Sequence, residues 1–466
     1  MAKVVLIYPP MAFGKKRGFG FPPLGILYIA TFLKKKGIDV KVIDSFIEGY
    51  TLEELEREIL KEDPNIVGFS AMTCQVNAVL DIAKKLKKTK PSLKIIIGGP
   101  HISSTKGELF DFTKDIDFLF YGEGERAMYS LVEALEKNLP FENIEGIIHK
   151  KDGKTIINKQ PAPIENLDDL PFPDLSLVNI KKYDSYYAKS LPLTSIIASR
   201  GCPFNCTFCD AYATHGKRLR LRSPKNIVDE LEKNCKEHNI KQVMIKDSTF
   251  TVNKRWVYEI CCEIKNRNLK INWTCNTRVD MVDEDILRTM KGSGCYMIFF
   301  GIESGSQKVL DMLHKGITIE QIKKAVKLCE DAGLEAVGYF MIGNPDETEE
   351  DAKETIRLAK ELKLGMATFG STIAYPGTEI YKWAIENQAL TDRHWYMRKD
   401  MKVSHTIRDA DGNLGLNGLS KEKQEELIKK ANRSFYFRLQ FIIKQVLKLR
   451  KKHDLKRSIK SIRELL

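Results

Sequence analysis

The hydrophobic pattern of this chain starts the same rhythm twice. Short apolar runs at 3–7, 39–43, 66–70, 94–97 and 118–121 predict strands, and the stretches between them, 24–36, 52–61, 76–88 and 125–137, have helical spacing. Strand–helix alternation demands crossover connections. It therefore predicts a parallel, doubly wound (Rossmann-like) α/β sheet with ligands at the strand carboxyl ends. The rhythm breaks over 146–192, where Pro161, Pro163, Pro171, Pro173 and several aspartates read as a linker. It restarts with strands at 193–199, 242–246, 271–276, 296–302, 336–342 and 367–373, and helices at 224–238, 254–268, 284–293, 319–332 and 349–362. Six such units make a partial (β/α)6 barrel, whose chemistry belongs at the strand carboxyl ends. The expected organisation is a doubly wound domain over 1–145, a linker over 146–192, the partial barrel over 193–380 and a helical C-terminal region over 381–466.

No apolar stretch reaches the roughly 18–20 residues that span a bilayer. The N-terminus runs straight into a strand, so no signal peptide is expected, and a cytoplasmic protein is. Ten cysteines in 466 residues are no disulfide framework and point to a reducing interior. The net charge of +13 is concentrated: residues 429–466 carry thirteen Lys or Arg against two acids. Residues 420–449 read as a helix mixing aromatic and aliphatic residues with cations. That tail fits a solvated helix closing the barrel. It also fits peripheral contact with an anionic membrane at its inner face. Nucleic acid is not expected as a partner, because no RNA-binding module is visible. No role is assigned to Trp383, His394, Trp395, Tyr396 or His405 between the barrel and the tail.

Directly after the strand at 193–199 come Cys202, Cys206 and Cys209, spaced C-x3-C-x2-C. Three thiolates this close can hold three irons of a 4Fe–4S cube and leave the fourth iron open to a substrate or cosubstrate. Zinc would need a second C-x2-C pair or histidines. No second pair exists, and His215 is the nearest histidine. Ferredoxin-type runs use a fourth cysteine, which is absent here. The other seven (Cys74, Cys235, Cys261, Cys262, Cys275, Cys295, Cys329) sit on apolar segments and are expected to be buried free thiols.

The motif, with Phe208 before the third cysteine, resembles the radical S-adenosylmethionine (SAM) superfamily. The resemblance implies that SAM is chelated by the open iron and cleaved to a 5'-deoxyadenosyl radical. Further segments fit it in order. The stretch 246–253 resembles the family's D-x-x-F-T segment, placing Asp247 at the SAM amino group, although relatives often carry two acids where Ser248 follows here. Glu303 and Ser304 are acceptors for the amino group or ribose. Gly343, within 338–347, and Pro376, within 375–378, belong to the adenine side. Arg278 could pair with the SAM carboxylate.

A doubly wound domain before such a barrel resembles the cobalamin-binding domain of cobalamin-dependent radical SAM enzymes. The matching positions are Pro9, Ser70, Thr73, Gly98, Gly99, Gly122 and Glu123, in segments that follow strands or open helices. Ser70 and Thr73 can bond the dimethylbenzimidazole tail, and Gly98 and Gly99 leave room for it. The D-x-H-x-x-G motif that supplies a cobalt ligand is missing: residues 9–14 read Pro-Pro-Met-Ala-Phe-Gly. Cobalamin without a protein histidine on cobalt is therefore expected, with His101 as a turn histidine beside the tail or, alternatively, a ligand. The resemblance extends to anaerobic magnesium-protoporphyrin cyclases and lipid-modifying methyltransferases. It implies methylation of an unactivated carbon on a small-molecule or lipid-like substrate through methylcobalamin, with a reducing partner such as flavodoxin or ferredoxin. The alternatives are radical cyclisation or oxygen insertion without methyl transfer, and a non-catalytic cobalamin or SAM sensor.

Overall fold

The computed structural model describes residues 2–15, 19–390, 392–398, 419–439 and 441. Its first sheet comprises β1 (Lys3–Tyr8), β2 (Asp39–Asp44), β3 (Ile66–Ser70), β4 (Lys94–Gly98), β5 (Phe118–Phe120), β6 (Ile147–Lys151) and β7 (Lys154–Ile157), in the order 2-1-3-4-5-6-7. The first five strands are parallel. Val4, Val5, Leu6 and Ile7 of β1 are all buried, as expected of a strand with helices on both faces. Strand order reverses between β1 and β3, which opens a ligand crevice at their carboxyl ends.

β6 and β7 correct the linker reading of 146–192. They form an antiparallel hairpin that extends the first sheet. Its turn is Asp152-Gly153, both with positive φ (50° and 76°), the backbone that a two-residue hairpin turn requires.

The second sheet is made of β8 (Leu193–Ile196), β11 (Gln242–Ile245), β12 (Asn272–Thr277), β13 (Cys295–Glu303), β14 (Glu335–Ile342) and β15 (Met366–Ser371), all parallel and consecutive in space. A two-stranded ribbon, β9 (Ser199–Arg200) with β10 (Arg220–Leu221), stands beside it. The barrel helices start on side-chain caps: Ser223, Asn253, Asp283, Thr318, Thr348 and Thr378 each accept from a first-turn N–H. Each cap contributes about 1 kcal/mol and fixes where a strand-end loop stops.

One apolar core runs through both halves, joining Leu6, Leu27 and Phe120 to Ile196, Val243 and Phe300. Helix Lys421–Tyr436 covers β15 with Leu427, Ala431 and Phe435, and the Tyr436 hydroxyl donates to the Ala367 carbonyl at 2.6 Å. Residues 442–466, with most of the basic tail, and His405 lie outside the described residues. No helix among the described residues is long and apolar enough to cross a membrane. Of the seven cysteines outside the motif, Cys261, Cys275, Cys295 and Cys329 are buried as expected, whereas Cys74, Cys235 and Cys262 are only half-buried.

Candidate active site between the two sheets

The ribbon clasps the ends of the cysteine loop, pairing Arg200 with Arg220 and Ser199 with Leu221. Gly201 turns the chain at φ +91°, where a Cβ would run into the Arg218 carbonyl. Inside the loop the Cys209 N–H donates to the Cys206 carbonyl (3.2 Å) and the Cys202 N–H to the Gly216 carbonyl (3.4 Å). Thr207 is anchored on both sides: its N–H donates to the Leu313 carbonyl (3.1 Å) and its carbonyl accepts from the Ile380 N–H (3.0 Å).

Two cations face the thiols. The Arg278 guanidinium lies 3.9 Å from the centroid of the Phe204 ring, with Nη1 4.0 Å from Cys206 Sγ. Its remaining nitrogens donate to Asp280 (2.9 and 3.0 Å) and to the Lys315 carbonyl (2.6 Å). The Lys315 ammonium faces Phe208 at 5.6 Å and pairs with Glu303 at 2.8 Å. Burial pushes the Cys206 thiol up, with Lys315 and Arg278 opposing it. Burial also pushes Cys209 up to about 11, opposed by the Ala211 N–H. Iron displaces such protons, and the two cations offset the charge of the thiolates. Among the described residues, no three His, Cys, Asp or Glu close around a single ion. Three thiols in one loop with Arg278 and Lys315 beside them are a donor set that suits an iron–sulfur cube.

Several residues assigned to SAM from the sequence have their polar atoms committed elsewhere. Asp247 is 2 % exposed; Oδ1 accepts from the Ala198 N–H (2.8 Å) and Oδ2 from the Ser199 hydroxyl (2.6 Å). Burial raises its pKa to about 6, and those donors pull it back. With both oxygens engaged, it splices β11 to the segment that launches the cysteine loop. Ser304 is fully buried; its hydroxyl meets Thr355 Oγ1 (3.0 Å) and accepts from the Ser306 N–H (3.1 Å). Arg278 is spent on Asp280 and the cysteine loop. Glu303 has φ +66° at a register shift in β13, and Gly301 leaves the space that its carboxylate and Lys315 fill.

The loop after β14 is organised by Glu347, the last residue of the 338–347 segment, to which no role is assigned from the sequence. Its Oε2 accepts from the N–H groups of Gly343 (2.6 Å) and Asn344 (2.8 Å) and from Asn344 Nδ2 (3.2 Å). Oε1 is buried without a hydrogen bond. Burial raises the pKa to about 7 against the pull of those amides. Gly343, at φ +90°, has no Cβ where Gln424 of the C-terminal helix packs. The turn holding Pro376 reaches the first half of the chain: Gly377 packs on Ser104, and its carbonyl accepts from the Tyr212 hydroxyl at 2.7 Å.

A cavity of about 570 Å³ opens at the carboxyl edge of the first sheet. Its inner wall is Leu6, Gly68, Ile96, Phe120, Ile29 and Met128, and its outer wall includes Ser195, Ile197 and Lys246 of the barrel and Arg200, Thr214 and His215 around the cysteine loop. Ser70, Gly98, Gly99, Gly122 and Glu123 lie on this wall, as the cobalamin reading requires, but Pro9 and Thr73 do not. The Pro9 carbonyl accepts from Gln75 Nε2 (2.6 Å), and the Thr73 hydroxyl meets His101 Nδ1 (3.2 Å). His101 is buried edge-on against Tyr396 at 4.7 Å, away from the cavity. Its geometry supports neither a cobalt ligand nor a contact with the tail. At two of the cavity's glycines the missing side chain lets a neighbour close in. A Cβ at 68 would lie 2.7 Å from Leu6 Cδ2, and one at 99 would lie 2.8 Å from the Ala71 nitrogen. Gly25 has open space at its Cβ position. A broad, largely neutral ligand fits such a cradle.

Glu123 is less a ligand contact than a hub. It accepts from Arg220 (2.7 and 3.1 Å), the Ile164 N–H (2.9 Å) and His215 (3.1 Å), with Arg200 at 3.3 Å, while Glu125 takes Arg200 at 2.5 Å. Burial opposes its charge, yet His215, Arg220 and Arg200 hold its carboxyl well below the usual range. The arginine and histidine partners of Glu123 and Glu125, 75 to 97 residues away, bind the first sheet to the cysteine loop. A second tie comes from 392–398, where Glu108 accepts from His394 (2.5 Å) and the Tyr396 hydroxyl (2.9 Å).

Residues 196–359 match the model of the radical SAM superfamily, and residues 12–132 match that of the B12 binding domain. An uncharacterized methyltransferase of Pyrococcus horikoshii is 36% identical over 95% of this chain and 94% of its own. The chain belongs to the radical SAM superfamily, in the group that carries a B12-binding domain. It is also 29% identical to the anaerobic magnesium-protoporphyrin IX monomethyl ester cyclase of Rubrivivax gelatinosus, over 82% of this chain and 69% of that one. The fold is shared with the cobalamin-dependent SAM radical enzyme OxsB (TM-score 0.75, 18% identity, 98% of this chain and 70% of that one). It is shared too with the radical SAM methyltransferase TsrM of Kitasatospora setae (0.71, 18%, 94% and 89%). This radical SAM protein is thus an enzyme whose cofactors are a 4Fe–4S cluster, SAM and cobalamin.

Proposed function

We propose that the protein transfers a methyl group to an unactivated carbon of a small-molecule or lipid-like substrate. The observation that carries this reading is the shared cavity: its inner wall is the glycine-lined edge of the first sheet, and its outer wall includes the barrel and the flanks of the cysteine loop. When bound, the cluster supplies the electron that splits SAM, and the corrin supplies the methyl group. Cys202, Cys206 and Cys209 would hold three irons, with Arg278 and Lys315 balancing their charge. Glu303, Gly343 and the turn at Pro376 would line the SAM side, and Ser70, Gly98, Gly99 and Gly122 the cobalamin side. The chain's own contribution is to hold the reacting carbon still and keep water out.

Two relatives support a methyl acceptor of this breadth: the hopanoid C-3 methylase of Methylococcus capsulatus (26% identical over 87% of this chain) and the cytidylyl-2-hydroxyethylphosphonate methyltransferase of Streptomyces wedmorensis (27% over 89%). An external one-electron donor of the flavodoxin or ferredoxin kind belongs to this reading, and the cations of 429–466 suit an anionic bilayer surface.

The test is a product count. Anaerobically reconstituted, cobalamin-loaded enzyme receives SAM, a reductant and a lipid extract of its host. Equal amounts of 5'-deoxyadenosine and S-adenosylhomocysteine are expected. 5'-Deoxyadenosine alone would exclude methyl transfer and favour radical cyclisation, the activity named for the Rubrivivax relative.

A further inference from the structure

Lys246 directly follows β11 and precedes the buried Asp247, but its side chain turns the other way, onto the cavity wall. The two carboxylates on that wall are already engaged, Glu123 by Arg220, Arg200 and His215 and Glu125 by Arg200. Lys246 has no carboxylate within ion-pair distance among the described residues. Its ammonium faces the Phe21 ring, 4.5 Å from the centroid. The side chain is exposed to the cavity. A cation standing on a largely apolar cavity wall with no carboxylate beside it is free to receive an anion through a charge-assisted hydrogen bond.

We infer that Lys246 anchors an anionic group, phosphate or carboxylate, on the molecule that is methylated. The inference rests on the methyl-transfer reading. It narrows the substrate class to an anion carried on an apolar body, since Phe21 lies beside Lys246 and the same cavity is lined by Phe19, Pro22 and Ile197. The nucleotide phosphate of cobalamin offers the same chemistry from another source. The glycine-lined pocket suited to the cofactor tail, at Gly68, Ile96 and Phe120, is on the first sheet, however, whereas Lys246 stands on the barrel, and this favours the substrate.

The test is calorimetric titration of phenyl phosphate into full-length, cobalamin-loaded protein as wild type, K246Q and K246R. K246Q removes no ion pair, so its far-UV spectrum and melting are expected to be unchanged. Phenyl phosphate should bind about 10- to 100-fold more weakly to K246Q and nearly normally to K246R. Neutral benzyl alcohol should not distinguish the three. Absence of binding to wild type, or equal affinity for wild type and K246Q, overturns the anchor. Binding that appears with cobinamide loaded but not with cobalamin assigns Lys246 to the cofactor's phosphate and also overturns it. Corrin absorbance in the same samples separates the two levels. Failure to take up corrin sinks the methyl-transfer reading, whereas corrin uptake with no effect at Lys246 sinks only the anchor.

Discussion

The two sides of the cavity are made in opposite ways. The first sheet makes its wall by leaving atoms out: Gly68, Gly98 and Gly99 bring backbone to the surface, and Leu6, Ile96 and Phe120 line the depth. The barrel mouth is crowded with buried charge: Glu303 on Lys315, Arg278 on Asp280, and Asp247 on Ser199. A large, nearly neutral macrocycle needs volume and gains little from fixed charge. An anionic iron cluster and a zwitterion need dipoles and charges already in position. The two halves therefore fail differently when mutated, and the hub at Glu123 is where a fault in one reaches the other.

Gly201→Ala should have the largest effect. Its Cβ would meet backbone, and φ +91° suits glycine alone. Bound iron and the charge-transfer absorbance of the cluster should be lost while corrin uptake survives; loss of both together would show that the halves do not fail separately. Glu123→Ala comes next. It strands buried Arg220, while Arg200 keeps Glu125, at a cost of about 3–5 kcal/mol, and the urea midpoint should drop accordingly. Glu123→Gln should recover part of that loss, since it keeps acceptors for Arg220.

Gly68→Ala should be smaller and one-sided. The new methyl presses on Leu6 Cδ2, the end of a flexible side chain, so the fold adjusts and the cavity shrinks. Corrin affinity should weaken about tenfold, or about 1.4 kcal/mol, with iron content unchanged. A drop in iron would blur the division between the walls.

Glu347→Gln should have the smallest effect, visible as a pH dependence. The folded pKa of Glu347, about 7, lies well above the usual glutamate range because of burial. The native state thus holds a proton that the unfolded state releases, and stability falls as pH rises through that window. Asp247 and Asp44, each raised by burial to about 6, act in the same direction over its lower part. Glutamine should flatten the fall between pH 6 and 7.5 in a thermal-melting series; an unchanged slope would mean that Glu347 does not titrate there.

What was legible in the sequence follows from range. The strands of both sheets were readable because burial on both faces leaves continuous apolar runs, and the cysteine loop because its ligands lie within eight residues. The hairpin at 147–157 was hidden inside a segment judged by its prolines, although Asp152-Gly153 is itself a hairpin signal. Asp247 was located correctly at a strand end, but where its carboxylate points is decided by the Ala198 N–H and the Ser199 hydroxyl, donors on another strand. Glu123 was picked out, yet its partners Arg200, His215 and Arg220 lie far along the chain, where no short motif can show them. Lys315 and Lys246 went unremarked because nothing in the residues next to them sets them apart from the chain's other lysines.

The ten cysteines carry one further consequence. Cys261 is pushed up to about 12 by burial, and Cys275 and Cys329 are raised by the same cause. A thiol held protonated inside the barrel wall is a poor ligand and a poor nucleophile. The three cysteines meant for iron keep partial access to solvent. Cys74, Cys235 and Cys262 share that access but stand apart from one another along the chain, so three thiols within one short loop are offered to incoming iron only at Cys202, Cys206 and Cys209.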